Sequence, residues 1–315
     1  MYRSSPPTLG TGTAPLRISG AARRVFDEQA DSARHPAYRT YLTDMVRPFG
    51  LAVHTEALGE GRGQSYGDMA DALIAEVTAE DQPADLLVMA FAVPDVTPWR
   101  CTAAHLSHTC PGNPMAFAVS DCGTTAAFTG LRLIRAQAVG PSSPRALLII
   151  TEQAAVNHEL PVPASMPARH AAVALRCDQA GPGLVSSVRL RSGVTRSEVA
   201  GLLATGLAEL SAGHDDVTVI SGVQSAQTAL SAAVGAGAEV IVAPAGQPCT
   251  GVWWEVAGRL AGWAECGGRR VLVADYDPLP GSLCLAVIDV AGIDVAGTSA
   301  AGPMKGDNIG PTSPP

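Results

Sequence analysis

The chain has 315 residues, 47% of them hydrophobic, 16% charged and only 4% aromatic, with a formal net charge of -8. That length can bury a large core as two domains or one duplicated domain, and 33 glycines with so few aromatics predict small and branched side chains packed at close backbone approach. The acidic balance argues against a nucleic-acid surface, which needs clustered Lys and Arg, while seven scattered cysteines without a CxxC pair predict reduced thiols, a cytoplasmic location and no metal site.

In chain order, MYRSSPPTLGTGT lacks the apolar stretch of a signal peptide, and residues 1–13 and 293–315, rich in Ser, Thr, Pro and Gly, are predicted to be disordered. Between them two halves are expected, 14–165 and 166–292. In the first, Ser65 and Asp68 form a capping-box-like opening to a helix with Met69, Leu73 and Val77 on one face, followed by a strand over 85–93. A short helix around 98–109 leads to MAFAVSDCGTTAAFTGLRLIRAQ, a buried strand running through a sharp turn into a helix of small residues. The strands RALLIITE and HAAVALRCD follow.

The second half repeats this order. Thr195 and Glu198 open a helix striped with Val199, Leu202, Leu203, Leu207 and Leu210, and DVTVISGV is the next strand. A short helix around 224–235 precedes a second strand-turn-helix, EVIVAPAGQPCTGVWWEVAGRLAGW, and the strands RRVLVADYD and SLCLAVIDV close the half. Its apolar lead-in, ALSAAVGAGAEVIVAPAG, is broken by Glu239 and Pro244 and is not expected to span a membrane. Cys122 and Arg145 are 23 positions apart, as are Gln247 and Arg270, so Cys122 and Gln247 are expected to be pseudo-symmetry mates. Alternating strands and helices in two similar halves predict an α/β fold of mixed sheets with helices between and outside them.

The stretch SDCGTTAAFTGLRLI resembles the strand-to-helix elbow of the ketoacyl-acyl-carrier-protein synthase III family of the thiolase superfamily, where a Cys opens a buried helix; the resemblance covers most of residues 60–292. It implies a thiolase-like five-layered fold from two pseudo-symmetric halves with mixed β-sheets. It also implies a homodimer paired through the edge strand AFAVS and a role in polyketide-like specialised metabolism. The donor would be acyl-CoA or an acyl carrier protein, so coenzyme A or a phosphopantetheine thioester enters as substrate and no cofactor is permanently bound. A small-molecule or carrier-bound acceptor would receive the acyl group.

A thiol at the first turn of a helix faces unpaired N–H groups and the positive end of the macrodipole, which favour the thiolate and can receive an oxyanion. Cys122 has that position, with Asp121 beside it opposing the thiolate unless its carboxylate turns to cap the helix. The bland alternative is a small buried hydrophobe. Of the seven cysteines, only Cys122 and Cys249 are expected near a helix start.

Departures from the family pattern bear on the reaction. Condensing relatives place a His and an Asn from the second half beside the Cys; here the His position reads Val223 or Gln224 and the Asn position reads Gln247. Neither replacement transfers protons at neutral pH. The glycine-rich stretch of the family's oxyanion hole reads ADYDPLPG, bringing Asp275, Tyr276 and Asp277 towards the site, as a base for an acceptor or as a solvated loop. His158 and His170 either fold towards Cys122 or are structural. His105 and His108 share a helix face without a recognisable metal-ligand set. Trp253, Trp254 and Trp263 narrow an acyl tunnel or fill core; Arg100, Arg132 and Arg135 meet coenzyme A phosphates or are surface residues. Three readings follow: a noncondensing acyltransferase, a condensing or starter-unit ketosynthase with an unusual active site, and a noncatalytic ketosynthase-like partner subunit.

Overall fold

A computed structural model describes residues 15–26, 31–79, 81–120, 122–138, 144–159, 165–214, 216–234 and 237–292. The segments 1–13 and 293–315, expected to be disordered, and Asp121, expected to oppose the thiolate unless it capped the helix, lie outside the described residues. The first half begins with β1 (Arg17–Phe26) and, after helices α1 (Pro36–Val46) and α2 (Thr55–Gly59), continues with α3 (Tyr66–Val77), β2 (Leu86–Ala90), α4 (Thr102–Thr109) and β3 (Met115–Val119). It ends with α5 (Ala126–Gln137), β4 (Ala146–Glu152) and β5 (His170–Asp178). The second half runs β6 (Gly183–Arg191), α6 (Arg196–Ser211), β7 (Val217–Ser221), α7 (Ala226–Val234), β8 (Glu239–Val242), α8 (Gly251–Glu265), β9 (Gly268–Asp277) and β10 (Ser282–Ala291).

Strand order is β3-β2-β4-β5-β1-β6-β10-β9-β7-β8. The central β1–β6 link consists of two residue pairs, Arg17 with Leu184 and Ile18 with Gly183, so the ladder is two five-stranded mixed sheets joined at a corner. Each sheet has the same internal order, β3-β2-β4-β5-β1 matching β8-β7-β9-β10-β6. Because β5 pairs with both β4 and β1, the changeover between halves falls between Asp178 and Gly183, not at 165/166. A strand belongs with the partners that satisfy its backbone groups, and the loop before β5 does not end the sheet.

Alternation along the strands sorts the core into layers. Leu148 and Ile150 of β4, Val271 and Val273 of β9, and Cys284 of β10 face one cluster with Phe128, Leu131, Trp253 and Val256 from α5 and α8. Those two helices therefore lie between the sheets. Leu147 and Ile149 face outward onto Met69 and Leu73 of α3, and Leu272 and Ala274 face Leu203 and Leu207 of α6. The result is five layers, helix, sheet, helix pair, sheet, helix. Trp253 fills core, edge-on to Phe128 with ring centroids 4.9 Å apart, and Trp254 lies under Arg23.

The two helix openings expected to match are built differently. Glu198 accepts the Thr195 N–H at 2.8 Å and completes a capping box. Ser65 makes no side-chain cap; instead Arg100 donates to Ser65 and to Asp68, tying the loop before α4 to the start of α3. His105 is likewise tied to Asp71 at 2.9 Å. No described helix is long and apolar enough to cross a membrane.

Candidate active site

The central layer contains two strand-to-helix elbows, one from each half. At the first, β3 leads through Cys122 into a 3-10 turn, Gly123–Thr125, and then α5. Gly123 has φ +58°, a conformation that favours glycine, and a Cβ there would run into Oδ2 of Asp277. The Asp277 carboxylate accepts the Thr124 N–H at 2.8 Å and the Leu279 N–H at 3.0 Å. Asp277 is thus buried at the end of β9 and reaches from the second sheet to the first elbow; it is not a solvated loop residue. A carboxylate is a favourable acceptor at a helix start, where N–H groups lack intrahelical partners. The Thr125 hydroxyl closes the turn by donating to the Cys122 carbonyl at 2.8 Å.

At the second elbow Gln247 precedes α8 and its amide donates to the Thr250 hydroxyl at 3.2 Å, which in turn donates to Glu152. The Glu152 carboxylate, 1% exposed at the end of β4, also accepts the Cys249 N–H at 2.8 Å. Thr124 and Cys249 stand 125 positions apart, and so do Glu152 and Asp277 and the pair Cys122 and Gln247. Each half therefore sends a carboxylate from its fourth strand across the pseudo-twofold to cap the elbow of the other. Glu152 was not among the residues expected at the site, although its spacing from Asp277 equals that from Cys122 to Gln247.

Between the elbows lies a cavity of about 240 Å³ whose lining includes Thr124, Val223, Gln224, Gln247, Asp275 and Tyr276. The structure thus brings together Val223, Gln224 and Gln247, the residues expected at the His and Asn positions of the resembled family. Val223 is 52% exposed at this cavity, and Gln224, also exposed, turns its amide oxygen towards Arg196 at 3.5 Å. Neither has the donor arrangement of an imidazole. Asp275 shares the inward face of β9 with Val273 and Asp277 and lies opposite Cys284. Burial pushes its carboxyl up to about 7, helped by the nearby Asp277 and Glu152 and opposed by the Tyr276 N–H; burial pushes Glu152 up to about 7 against the bonds from Thr250 and Cys249.

The two histidines considered for the site are elsewhere. His158 bridges Val53 and lies near His54, and burial followed by that neighbour lowers its pKa. His170 opens β5 opposite Phe26, and its ring nitrogen accepts the Ala154 N–H at 3.4 Å. Neither lines the cavity. The cysteines separate by burial. Cys110, Cys177, Cys249 and Cys284 are buried and desolvation raises each thiol, Cys177 and Cys284 to about 12. Cys101 and Cys266 are exposed, and Cys122 alone is half-buried. Cys101 also precedes a helix, as the N-cap of α4, so Cys122 and Cys249 are not the only cysteines at helix starts.

No protein-family model matches the chain, and no curated protein matches its sequence. Solved structures do resemble it. ChlB3, an acyltransferase, superposes with a TM-score of 0.59 at 14% identity, covering 88% of this chain and 98% of its own. AbyA1, a tetronic acid condensing enzyme, gives 0.55 at 16% identity over 87% of this chain and 99% of its own. The 3-oxoacyl-(acyl carrier protein) synthase III FabH from Pseudomonas aeruginosa PAO1 gives 0.54 at 14% identity over 88% and 98%. The chain has the thiolase-like fold of these structures.

Proposed function

We propose that this protein is an acyltransferase that takes an acyl group from acyl-CoA or an acyl carrier protein onto Cys122 and passes it to a small-molecule or carrier-bound acceptor. The observation that carries this is the half-buried Cys122 at the opening of a helix in the central layer, two residues before Thr124, which lines the cavity together with Gln247, although Cys122 itself is not part of that lining. In this reading the N–H groups of Cys122 and Gly123, which no described residue accepts, meet the oxyanion formed when the Cys122 sulfur attacks a thioester carbonyl. Collapse of that intermediate breaks the C–S bond to the donor, which leaves as a thiolate and takes up the proton released by the Cys122 thiol. Val223 and Gln247 in place of the family's His and Asn favour transfer to an alcohol, amine or thiol over condensation, which needs an enolate stabilised. ChlB3, named an acyltransferase, is consistent with that choice.

The supporting test incubates the protein with a panel of acyl-CoA and acyl-carrier-protein thioesters and alcohol or amine acceptors and follows acyl transfer by mass. Product that requires both donor and acceptor is expected; thioester that stays intact across the panel overturns the proposal. A cytoplasmic homodimer in polyketide-like specialised metabolism is part of the same reading. Its dimer contact would use β3, which ends the first sheet and exposes Met115. A monomer in light scattering at micromolar concentration contradicts that contact.

A second reading rests on Asp277. Its carboxylate fills the space beside Gly123 and takes up the Thr124 N–H, so a donor at the elbow is already occupied, which suits a noncatalytic partner of an active synthase. Acylation of Cys122 would exclude it.

A further inference from the structure

We propose that Asp275 is the proton acceptor of the transfer step, in the role that a histidine at position 223 would otherwise fill. The inference rests on the acyltransferase reading and concerns its second half-reaction. Three buried carboxylates meet near the elbows, and they are not equivalent. Both oxygens of Asp277 are engaged, by the N–H groups of Thr124 and Leu279, and both of Glu152, by Thr250 and Cys249. Those two are caps. Asp275 is 5% exposed, lines the cavity, and accepts one hydrogen bond among the described residues, to Oδ1 from the Tyr276 N–H at 2.9 Å. No donor among the described residues reaches its other oxygen.

The surroundings hold that carboxylate in place. Oδ1 lies where a Cβ on Gly222 would be, so the residue before Val223 has to be glycine for Asp275 to occupy the end of the cavity. The neighbouring strand places Cys284 opposite Asp275, and Cys284 is in turn near Thr125 and Cys122 of the first elbow. The titratable groups around Asp275 are Glu152 from β4, Asp277 from β9, Cys249 from the second elbow and Cys284 from β10, with Arg169 acting on Glu152. Burial and the two carboxylates bring Asp275 to about 7, where a carboxylate can both take and return a proton under physiological conditions.

The step balances without a further reagent. An acceptor O–H gives its proton to Asp275 as its oxygen bonds to the carbonyl carbon of the acyl-Cys122 thioester. The tetrahedral intermediate then expels the Cys122 thiolate, breaking the C–S bond, and the protonated Asp275 returns the proton to that sulfur.

The test uses the full chain, loaded with acetyl- to hexanoyl-CoA, and compares wild type with Asp275→Asn. Loading of Cys122 is read by intact mass; release of the acyl group to water, and separately to hydroxylamine, is read in single turnover from pH 5.5 to 8.5. Asp275→Asn should load normally, release to water about a hundredfold more slowly and lose the rise in rate near pH 7, while release to hydroxylamine, a strong nucleophile that needs no base, is retained. Wild-type release should also slow in deuterium oxide, a readout that holds if the variant fails to fold. Normal release with an unchanged pH profile in Asp275→Asn, or wild-type release without the pH rise or the deuterium effect, overturns this inference alone. Absence of any acyl group on Cys122 overturns the acyltransferase reading and this inference with it.

Discussion

At the first elbow Cys122 opens the turn and Asp277 crosses from the other sheet to accept the Thr124 N–H; at the second, Gln247 opens it and Glu152 makes the same crossing to the Cys249 N–H. The scaffolds are alike and the contents are not. The first elbow presents a half-buried thiol, whereas the second has its amide engaged with Thr250 and its cysteine fully buried with a raised pKa. The two halves thus present two similar helix starts, and only the first carries a thiol that is not fully buried. The reciprocal carboxylates show what both elbows require regardless of chemistry: a partner for an N–H that no helix bond satisfies.

The largest effect that sharpens this contrast concerns condensation. Decarboxylation of a malonyl thioester leaves an enolate that preorganised donors must stabilise, and loss of one donor costs about a hundredfold or more in rate. If the expected correspondence holds, with Val223 or Gln224 at the His position and Gln247 at the Asn position, carbon dioxide release from malonyl carrier protein should be on the order of ten-thousandfold below that of a condensing synthase. Turnover comparable to such an enzyme would mean that another group completes the first site.

The caps themselves come next. Glu152 is raised from 4.5 to about 7, so its stabilising contribution is fully present below about pH 4.5 and is lost as pH rises through 7. The fold should therefore lose on the order of 3 kcal/mol from this group between those limits, with Asp275 acting in the same direction. Glu152→Gln should flatten the fall in melting temperature between pH 5 and 8; an unchanged slope would show that Glu152 does not titrate in this range. Smaller still is the loss of the first cap. Asp277→Ala should cost about 1–2 kcal/mol and speed amide hydrogen exchange at Thr124 while leaving Cys249 protected. Equal loss of protection at both elbows would break the picture of two independent caps.

Much of this arrangement was legible in the sequence because it is a matter of local order. Period-2 and period-3.6 patterns identified the strands and helices of both halves, and equal spacings matched Cys122 to Gln247. HAAVALRCD reads as the last strand of the first half even though the expected boundary falls before it, and the pairing of β5 with β1 and β4 places it in the first sheet. The caps were not legible. Asp277 lies in DYDPLPG, a turn-like run, and its partner Thr124 is 153 residues distant; Glu152 ends an apolar strand, 97 residues from Cys249. Local composition carries no trace of such contacts. His158 and His170 have side chains whose direction depends on the packing of Val53 and Ala154, and neither neighbour is apparent from spacing.

The account stands most directly on whether Cys122 accepts an acyl group. Intact mass of the protein after incubation with acyl-CoA and acyl-carrier-protein thioesters, followed by peptide mapping, reads this in one measurement. One acyl increment is expected, on the peptide containing Cys122, absent from Cys122→Ala and retained in Cys249→Ala. No increment with any thioester, or an increment shared with the exposed Cys101 and Cys266 and surviving in Cys122→Ala, would contradict the assignment of the first elbow as a catalytic centre.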